Sequence, residues 1–341
     1  MSQPSMTSTG EAVATGFELD RIPRPVLARE ADSTYWMSRY VERVENVARL
    51  MLVSVESLLD ARDLAPKLLE RQWQSVLRIM HVPLPSDSHE PMPQRVSTHM
   101  TFREDNPSSL IASLTRAREN ARGIREGISS DMWEHINLLY WNIRSEEARS
   151  RFNEAPAAFL QQVITGAMTF HGITDQTLPH DQRWYFAQLG RHFERIAFTC
   201  RTLQDKLALA AAQTAPGDAP LRNVQSVAAL RCCNSLEAYR RAYPGELEPS
   251  TIAGFLLLEG DFPRSIRYCV NAARGAAAAI REEVRPRSVD LAERTLGRLQ
   301  AQLAYADADE VLGRGLSAYL DQIQEQTGQA ALAVQKCYFL H

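Results

Sequence analysis

The sequence lacks the short patterns that mark the common catalytic centres. It contains no Glu-x-x-His or His-Glu-x-x-His, no phosphate loop of the G-x-x-x-x-G-K type and no G-x-S-x-G elbow. The lack of Glu-x-x-His counts against a ferritin-like di-iron bundle. The eight histidines are scattered along the chain and form no ligand pattern. We therefore predict neither a metal nor a cofactor, and the sequence leaves open whether the protein is an enzyme.

Cysteine is scarce, and its spacing predicts no disulfide framework. The chain has five cysteines, an odd number, and no two are spaced as C-x-x-C. Such thiols are typical of a reducing compartment, where most are buried as small apolar side chains. Cys232 and Cys233 are adjacent, so on a helix they would point about 100° apart and would pack separately. We predict a cytoplasmic protein with reduced cysteines.

Long apolar runs and a charge excess of one sign are also missing. The most apolar short run, residues 255–258, is followed directly by Glu259 and Asp261, far short of the ~20 residues of a membrane span. Lys and Arg total 38 against 41 Asp and Glu, a net charge of −3. This balance gives no broad basic surface for nucleic acid. Residues 1–24 are rich in Ser, Thr and Gly and are predicted to form a disordered leader, not a signal peptide.

The sequence does have apolar residues that recur every three and four positions. This helical period begins near Pro25 and persists along the chain, while strand-like alternation is missing. The fold class is therefore predicted to be all-α. The first helix is predicted over residues 31–61, and its apolar stripe comprises Met37, Val41, Val44, Ala48, Met51, Val55 and Leu58.

Proline and glycine set the other expected boundaries. Residues 81–107 carry five prolines and are predicted to be mostly irregular, with a short helix at most over 96–102. A helix starting at residues 106–109 should continue to about residue 128. Further helices are predicted at 65–80, 129–140, 182–212, 224–239, 251–258, 264–283, 289–305 and 309–337, with one or two more over 147–173.

A charged motif recurs in the two halves of the chain and indicates an internal duplication. Arg39, Glu42 and Arg43 have counterparts in identical order at residues 191, 194 and 195, and Arg49 falls opposite residue 201. Residues 74–76 match 225–227, and residues 107–110 match 263–266, in the same order along the chain. Collinear matches of this kind are the signature of a repeat. We predict a multi-helix bundle of two tandem, pseudo-symmetric repeats, about 25–175 and 176–337, which form one domain over residues 25–341.

The charged residues of this motif form the first candidate binding surface. On the predicted helix, Arg39, Glu42, Asn46 and Arg49 lie opposite the apolar stripe. Three interpretations are open: a solvated face with weak ion pairs, a buried network that joins the two repeats, and a groove for an anionic group. The candidate residues are Arg39, Glu42, Arg43, Arg49, Arg191, Glu194 and Arg195.

A second polar cluster lies at residues 118–137. Arg118, Arg122 and Arg125 are predicted to share a helix face, with Glu126 four residues after Arg122. Helix packing explains Trp133, so a structural role is open beside a binding role. Arg122, Arg125 and Glu126 complete the set of candidates.

The opening of the folded part closely resembles the bacterial alpha-E family. Residues 27–49 read LAREADSTYWMSRYVERVENVAR, and the likeness extends over nearly the whole folded chain. One departure is clear: the stretch before the second Arg-Glu-Arg segment reads TLPHD at 177–181, where the family usually has an arginine. The other segments that carry the resemblance are residues 118–137, 184–201 (WYFAQLGRHFERIAFTCR), 235–241 (SLEAYRR) and 255–265 (FLLLEGDFPRS).

The resemblance implies an all-helical protein whose genes commonly sit beside circularly permuted ATP-grasp proteins and transglutaminase-like cysteine peptidases. It brings no established catalytic residue. We therefore expect a helical accessory or partner protein of an ATP-grasp amide or peptide ligase, which binds the partner or a peptide substrate through Arg/Glu-rich helix faces. The alternative is an enzyme of peptide or amide-bond metabolism with a novel Glu/Arg site. That alternative requires Glu42 or Glu194 in a concave pocket with Arg122 or Arg125 nearby.

Overall fold

The polypeptide forms α-helices throughout the part that the structure describes, as the helical period predicts, and that part contains no strand. The computed structural model describes residues 26–60, 66–85, 89–211, 219–245, 247–284 and 291–339. The expected leader at residues 1–24 lies outside the described residues. None of the helices within these ranges combines the length and the apolar character needed to cross a membrane.

Fifteen α-helices are found in the described ranges. They are α1 (Ala28–Asp60), α2 (Pro66–Met80), α3 (Met92–Phe102), α4 (Leu110–Gly123), α5 (Ser130–Arg144), α6 (Ala148–Glu154), α7 (Pro156–Thr177), α8 (Gln182–Ala211), α9 (Ala219–Cys232), α10 (Leu236–Ala242), α11 (Pro249–Leu258), α12 (Ile266–Val284), α13 (Leu291–Ala304), α14 (Ala308–Arg314) and α15 (Leu316–Val334). A 3₁₀ turn follows α4, and a π-helical turn follows α15.

Helix α1 lies at the centre and contacts α4, α7 and α8. Its predicted apolar stripe is buried from Met37 to Val55, and the side chain of Leu58 lies outside the described residues. The side opposite the stripe is buried as well, because α8 packs against it. The side of α1 opposite the stripe is therefore mostly an interior surface.

The proline-rich stretch holds a longer helix than predicted. Helix α3 begins at Met92, directly after Pro91, and Pro93 lies in its first turn. Proline is tolerated there because the first backbone N–H groups of a helix have no partner within it. The expectation of a mostly irregular segment at 81–107 with one short helix is confirmed for the described residues, but the helix begins four residues earlier than predicted for this reason.

Three helices predicted to be continuous are broken by local backbone geometry. Helix α4 ends at Gly123, so Arg125 and Glu126 lie in a 3₁₀ turn and not on the α4 face. Asn234 adopts a left-handed φ of 51° and separates α9 from α10. Gly315, with φ 103°, separates α14 from α15. Asparagine and glycine tolerate positive φ best, so the chain turns at these positions.

Two hydrophobic clusters fill the interior. The first consists mainly of residues from α1 to α7, and the second mainly of residues from α8 to α15. Each takes a few residues from the other half: Phe198 of α8 packs in the first, and Tyr35 of α1 in the second. Helices α1 and α8 therefore form the boundary between the two clusters, where the charged motif lies.

Four of the five cysteines are buried as predicted. They lie in the interior, and burial raises the pKa of each thiol above its ordinary value. A thiol that stays protonated is a poor nucleophile, so these side chains act as small apolar residues. The four are Cys200, Cys232, Cys233 and Cys269.

Candidate functional site

Helices α1 and α8 lie side by side and run in the same direction. Their polar contacts link residues at a nearly constant separation along the chain: 155 positions for Arg39 and Glu194, 153 for Glu30 and Arg183, and 153 for Glu42 and Arg195. A constant separation means that the two helices advance together. They are therefore parallel.

Gly190 marks a close approach of the two backbones. A Cβ atom at this position would lie 2.2 Å from the backbone oxygen of Tyr35 and 3.2 Å from the backbone nitrogen of Arg39. Only a residue without a side chain fits there. The glycine thereby brings α8 near enough to α1 for their charged side chains to pair.

The Glu-Arg motifs of the two helices pair reciprocally. Arg195 donates from Nε and Nη2 to the two carboxylate oxygens of Glu42, at 2.9 and 2.7 Å. Arg43 donates in the same bidentate manner to Glu194, at 2.7 and 2.8 Å. Glu42 is 0% exposed, Glu194 1% and Arg195 8%, so the interpretation as a solvated face is wrong. The motif residues form a buried network that joins α1 to α8.

Glu42 is surrounded by three basic side chains. Besides Arg195, Arg264 donates to it from Nη1 at 3.2 Å, and His171 Nε2 lies 3.3 Å from its Oε2. Burial alone would raise the pKa of the Glu42 carboxyl, but Arg195 and Arg264 outweigh burial and hold the pKa well below its ordinary value. The carboxylate is therefore ionised at neutral pH and is a weak base.

Glu45, one turn further along α1, extends the network. It accepts hydrogen bonds from Arg264 and from Arg49, the latter at 2.8 Å. Arg264 also donates to the side-chain oxygen of Asn46 at 3.1 Å. We call this group the Glu42 cluster: Glu42, Glu45, Asn46, Arg49, His171, Arg195 and Arg264.

The histidines of this region are neutral at neutral pH. Burial lowers the pKa of His171, although the neighbouring Glu42 opposes the shift. Burial also brings the pKa of His192 well below its ordinary value, and the charges of Arg195 and Arg191 lower it further. His192 Nδ1 is buried and lacks a hydrogen-bond partner among the described residues, and His171 Nε2 faces the Glu42 carboxylate at 3.3 Å. A neutral imidazole with such a nitrogen is able to accept a proton.

Glu42, Glu45 and His171 also have the arrangement of metal ligands. One donor atom from each lies within 4.8 Å of the others. The charges disagree with a cation, because the guanidinium groups of Arg49, Arg195 and Arg264 already contact the two carboxylates. A divalent cation would add repulsion from three positive groups. The absence of a metal remains a prediction.

The second carboxylate of the motif has its own group of arginines. Arg39 donates to Glu194 at 2.9 Å beside Arg43, and the charge of Arg201 also acts on this carboxylate. Burial raises the pKa of Glu194, but the three arginines outweigh it and lower the pKa to about 2. We call Arg39, Arg43, Glu194 and Arg201 the Glu194 cluster.

The structure separates Arg191 from the role predicted for it. The repeated motif predicts equivalent positions for Arg39 and Arg191, but Arg191 pairs with Asp175 at 3.1 Å and donates to Gln188. His171 lies beside Glu42 instead. Asp175 of α7 is therefore the carboxylate that pairs with Arg191, in place of Glu42.

The second set of candidate residues contacts neither cluster. The set comprises Arg122, Arg125 and Glu126. The Arg122 side chain is 66% exposed and pairs with Glu119, while the Arg125 guanidinium lies over the ring of Trp133. Glu126 is exposed in the 3₁₀ turn. The pocket required by the enzyme alternative, with Arg122 or Arg125 beside Glu42 or Glu194, is not formed by these contacts.

Arginine and aromatic side chains instead form a surface on α4 and α5. The Arg118 guanidinium lies 4.9 Å from the ring centre of Tyr140, 5.6 Å from Trp133 and 5.9 Å from Trp141. Trp141 is 56% exposed. We call Arg118, Trp133, Tyr140 and Trp141, together with Arg125 of the intervening 3₁₀ turn, the α4–α5 face.

Sequence reasoning missed Glu45, His171 and Arg264 as members of the site. Arg264 contacts Glu42 across 222 positions of the chain, and no local pattern indicates such a contact. Arg264 does lie in the segment FLLLEGDFPRS that carries part of the family resemblance, which was the one available signal. His171 has no sequence signal beyond its place on an amphipathic helix.

Comparison with known proteins finds one family model that matches nearly the whole chain. The model of the Alpha-E family, described as a predicted alpha-helical domain with a conserved ER motif, matches residues 26–339. The reciprocal ion pairs between α1 and α8 are formed by two Glu-Arg dipeptides of the chain. These dipeptides lie at residues 42–43 and 194–195.

The curated relatives are longer proteins. The chain is 25% identical over 324 residues to uncharacterised proteins of Mycobacterium bovis and Mycobacterium tuberculosis. The match covers 86% of this chain and 34% of each relative, so the chain spans about a third of their length. No solved structure matches the chain significantly.

Proposed function

The chain belongs to the Alpha-E family, and we propose that it is a helical accessory module of an ATP-grasp amide or peptide ligase system. The observation that carries the proposal is the length of the relatives, in which the matching region is about a third of a longer chain. A region of this kind works beside other parts of the same protein or, when separate, beside a partner. The partner class, a circularly permuted ATP-grasp protein and with it a transglutaminase-like peptidase, comes from the resemblance alone.

Burial divides the roles of the charged residues. Glu42, Glu194 and Arg195 are enclosed between α1 and α8, so their side chains are not available to a macromolecular partner. Their reciprocal pairs hold the two central helices in register and make them a scaffold. The α4–α5 face is partly exposed, with Trp141 largely accessible to solvent, and it is where the partner docks.

The scaffold consists, in this proposal, of two repeats packed about a pseudo-twofold axis. The reciprocal Glu-Arg pairs support it, and so do Ser109 and Ser265, which occupy matching places in the predicted repeats. Each accepts a hydrogen bond from a backbone N–H in the first turn of α4 or of α12. His81 and Asn234, with φ of 52° and 51°, end α2 and α9 in the same way.

One of the matched segments fits the proposed repeat in a different register. The sequence match pairs Gln74 with Gln225, but Gln74 is half-buried and Gln225 is buried. Gln72 is buried like Gln225, so the burial pattern of α2 and α9 agrees when the match is shifted by two residues.

The α4–α5 face has the composition of a protein interaction surface. Tryptophan, tyrosine and arginine are the residues most often found at the energetic centres of interfaces. Trp141 is largely exposed, and Leu138, one turn earlier on α5, is exposed as well. Large apolar side chains in this setting lose water contacts when a partner covers them.

Substitution of Trp141 tests this docking surface. In a binding assay between the full chain and a circularly permuted ATP-grasp protein, Trp141→Ala is expected to raise Kd by about thirtyfold, the loss typical of an interface tryptophan. Tyr305→Ala is the matched control, because Tyr305 is also an exposed aromatic residue but lies after α13. Failure of the two proteins to associate, or equal losses in both variants, contradicts the proposal.

A second candidate function, an enzyme acting on peptide or amide bonds, is favoured by His171. Glu42 is a weak base, because its pKa is held low, whereas the neutral imidazole of His171 beside it is suited to accept a proton. The proton acceptor of this alternative is therefore His171, with Arg49 and Arg191 as the nearby groups that would hold an anionic substrate.

Turnover by the purified chain alone distinguishes this candidate. A peptide mixture incubated with the protein would show bond formation or cleavage by mass spectrometry, and His171→Gln is expected to reduce the rate by about 10²–10⁴-fold. His89→Gln is the control, since His89 is exposed. Absence of turnover in the unaltered protein rules out this candidate and leaves the ligase association untouched.

A further inference from the structure

The charges around Glu194 do not balance. Arg39 and Arg43 both pair with its carboxylate, and the charge of Arg201 lowers its pKa as well. Among the described residues two guanidinium groups therefore pair with this carboxylate, and a third, that of Arg201, acts on it without an ion pair. Because arginine remains protonated in proteins, the Glu194 cluster carries a net charge of about +2.

Arg201 is the guanidinium without a carboxylate of its own. Its Nε donates to the backbone oxygen of Ala197 at 3.1 Å, and no acidic group lies within ion-pair distance of it in the described ranges. Arg49 occupies the matching place on α1 and differs in this respect. It pairs with Glu45 one turn earlier, whereas the residue one turn before Arg201 is alanine.

The positive charge of Arg201 is held at an energetic cost. The residue is partly buried, and burial lowers the pKa of its guanidinium. Glu194 opposes that shift, while Arg43 and Arg39 add to it. A partly desolvated charge with like charges beside it is costly unless an opposite charge joins it.

The cluster is open to solvent and lined by aromatic rings. The Arg39 and Arg43 side chains are 19% and 18% exposed, in contrast to the enclosed Glu42 cluster. The Arg39 guanidinium lies 5.2 Å from the ring centre of Trp36, and that of Arg43 lies 5.4 Å from Tyr40. The rings restrict the orientation of the guanidinium planes.

We propose that the Glu194 cluster binds a small oxyanion, a carboxylate or a phosphoryl group, between Arg201 and the arginines paired with Glu194. The planar forks of arginine match both oxyanions and bind them through paired hydrogen bonds. Such a ligand supplies the missing negative charge. The site goes beyond the docking proposal and does not depend on it.

Calorimetric titration of the full chain with inorganic phosphate, and separately with acetate, tests the site at constant ionic strength set by chloride. Saturable binding of one of these anions is expected, and Arg201→Gln should weaken it by about tenfold or more, the value of a lost charge-assisted hydrogen bond. Arg103→Gln is the control, because Arg103 is an exposed arginine that pairs with Asp105 and its loss removes the same charge. Binding of phosphate alone assigns a phosphoryl ligand, and binding of acetate alone assigns a carboxylate.

A stability measurement separates a lost site from a damaged fold. In chloride alone, Arg201→Gln should raise the thermal midpoint, since it removes an uncompensated positive charge, and it should abolish any further rise caused by the anion. If that variant does not fold, Arg201→Lys keeps the charge, loses the fork and should weaken binding as well. Absence of saturable binding, or equal weakening in the Arg103 control, overturns the proposal.

Discussion

Replacing Glu42 by glutamine is expected to lower the free energy of unfolding by about 3–5 kcal/mol. The substitution keeps the shape of the side chain but removes the negative charge that Arg195 and Arg264 share in the interior. Two guanidinium groups would then remain buried with less compensation. Denaturant titration of the full chain measures the loss.

An exposed glutamate provides the control for this prediction. Glu119→Gln removes the partner of Arg122 at the surface, where an ion pair contributes only about 0.2–1 kcal/mol. Adding Arg195→Met to Glu42→Gln should recover part of the loss, because one of the uncompensated charges is then removed. Equal effects of Glu42→Gln and Glu119→Gln would show that burial does not govern the network.

The same network predicts a loss of stability in acid. The folded pKa of Glu194 is about 2 against an ordinary value of 4.5, and that of Glu42 is also well below the ordinary value. A depressed folded pKa means that the stabilisation is fully present above the ordinary pKa and is lost as the pH falls through the folded pKa. The free energy of unfolding should therefore decrease as the pH falls from 4.5 towards 2, and less steeply in Glu42→Gln.

Gly190→Ala is expected to be the most damaging conservative change at the contact between α1 and α8. The added methyl carbon would lie 2.2 Å from the Tyr35 backbone oxygen, and a backbone atom cannot move aside as a side chain can. The helices must separate, which strains the reciprocal ion pairs and costs about 3 kcal/mol or more. Thermal and denaturant unfolding measure the effect.

Another helical glycine supplies the matched control. Gly275 lies in α12 with no atom within 4 Å of an added Cβ. Gly275→Ala should raise the free energy of unfolding by about 0.5–1 kcal/mol, because alanine is the better helix former. If Gly190→Ala behaves like Gly275→Ala, the close approach of the two helices does not exist in solution.

The helical fold was predictable because its signal is local. The apolar stripe from Met37 to Val55 repeats with the helical period, and burial of this stripe needs no knowledge of the partner helices. The errors arose where one residue decides a boundary. Pro93 lies in the first turn of a helix although proline usually ends one, and Asn234 ends a helix through a left-handed φ that its sequence neighbours do not indicate.

The candidate site was predictable only in part. The recurrence of Glu-Arg located residues 42, 43, 194 and 195, since two copies in one register indicate a shared role. It did not show that the faces are buried, because burial of the side opposite the apolar stripe depends on α8, which comes from the other half of the chain. His171 and Arg264 join Glu42 from helix ends and faces that are brought together only by the tertiary fold.

The parallel arrangement of α1 and α8 has a consequence for the order in which the protein assembles. Arg43 is able to form its ion pair only after Glu194 has been synthesised, 151 positions further along the chain. At ribosomal rates of 5–20 residues per second, that interval is roughly 8–30 s. During this time α2 to α7 are synthesised while α1 still lacks the residues of α8 that neutralise its charges. The nascent N-terminal half is consequently the species most exposed to misassembly, and completion of the ion-pair network is a late folding event.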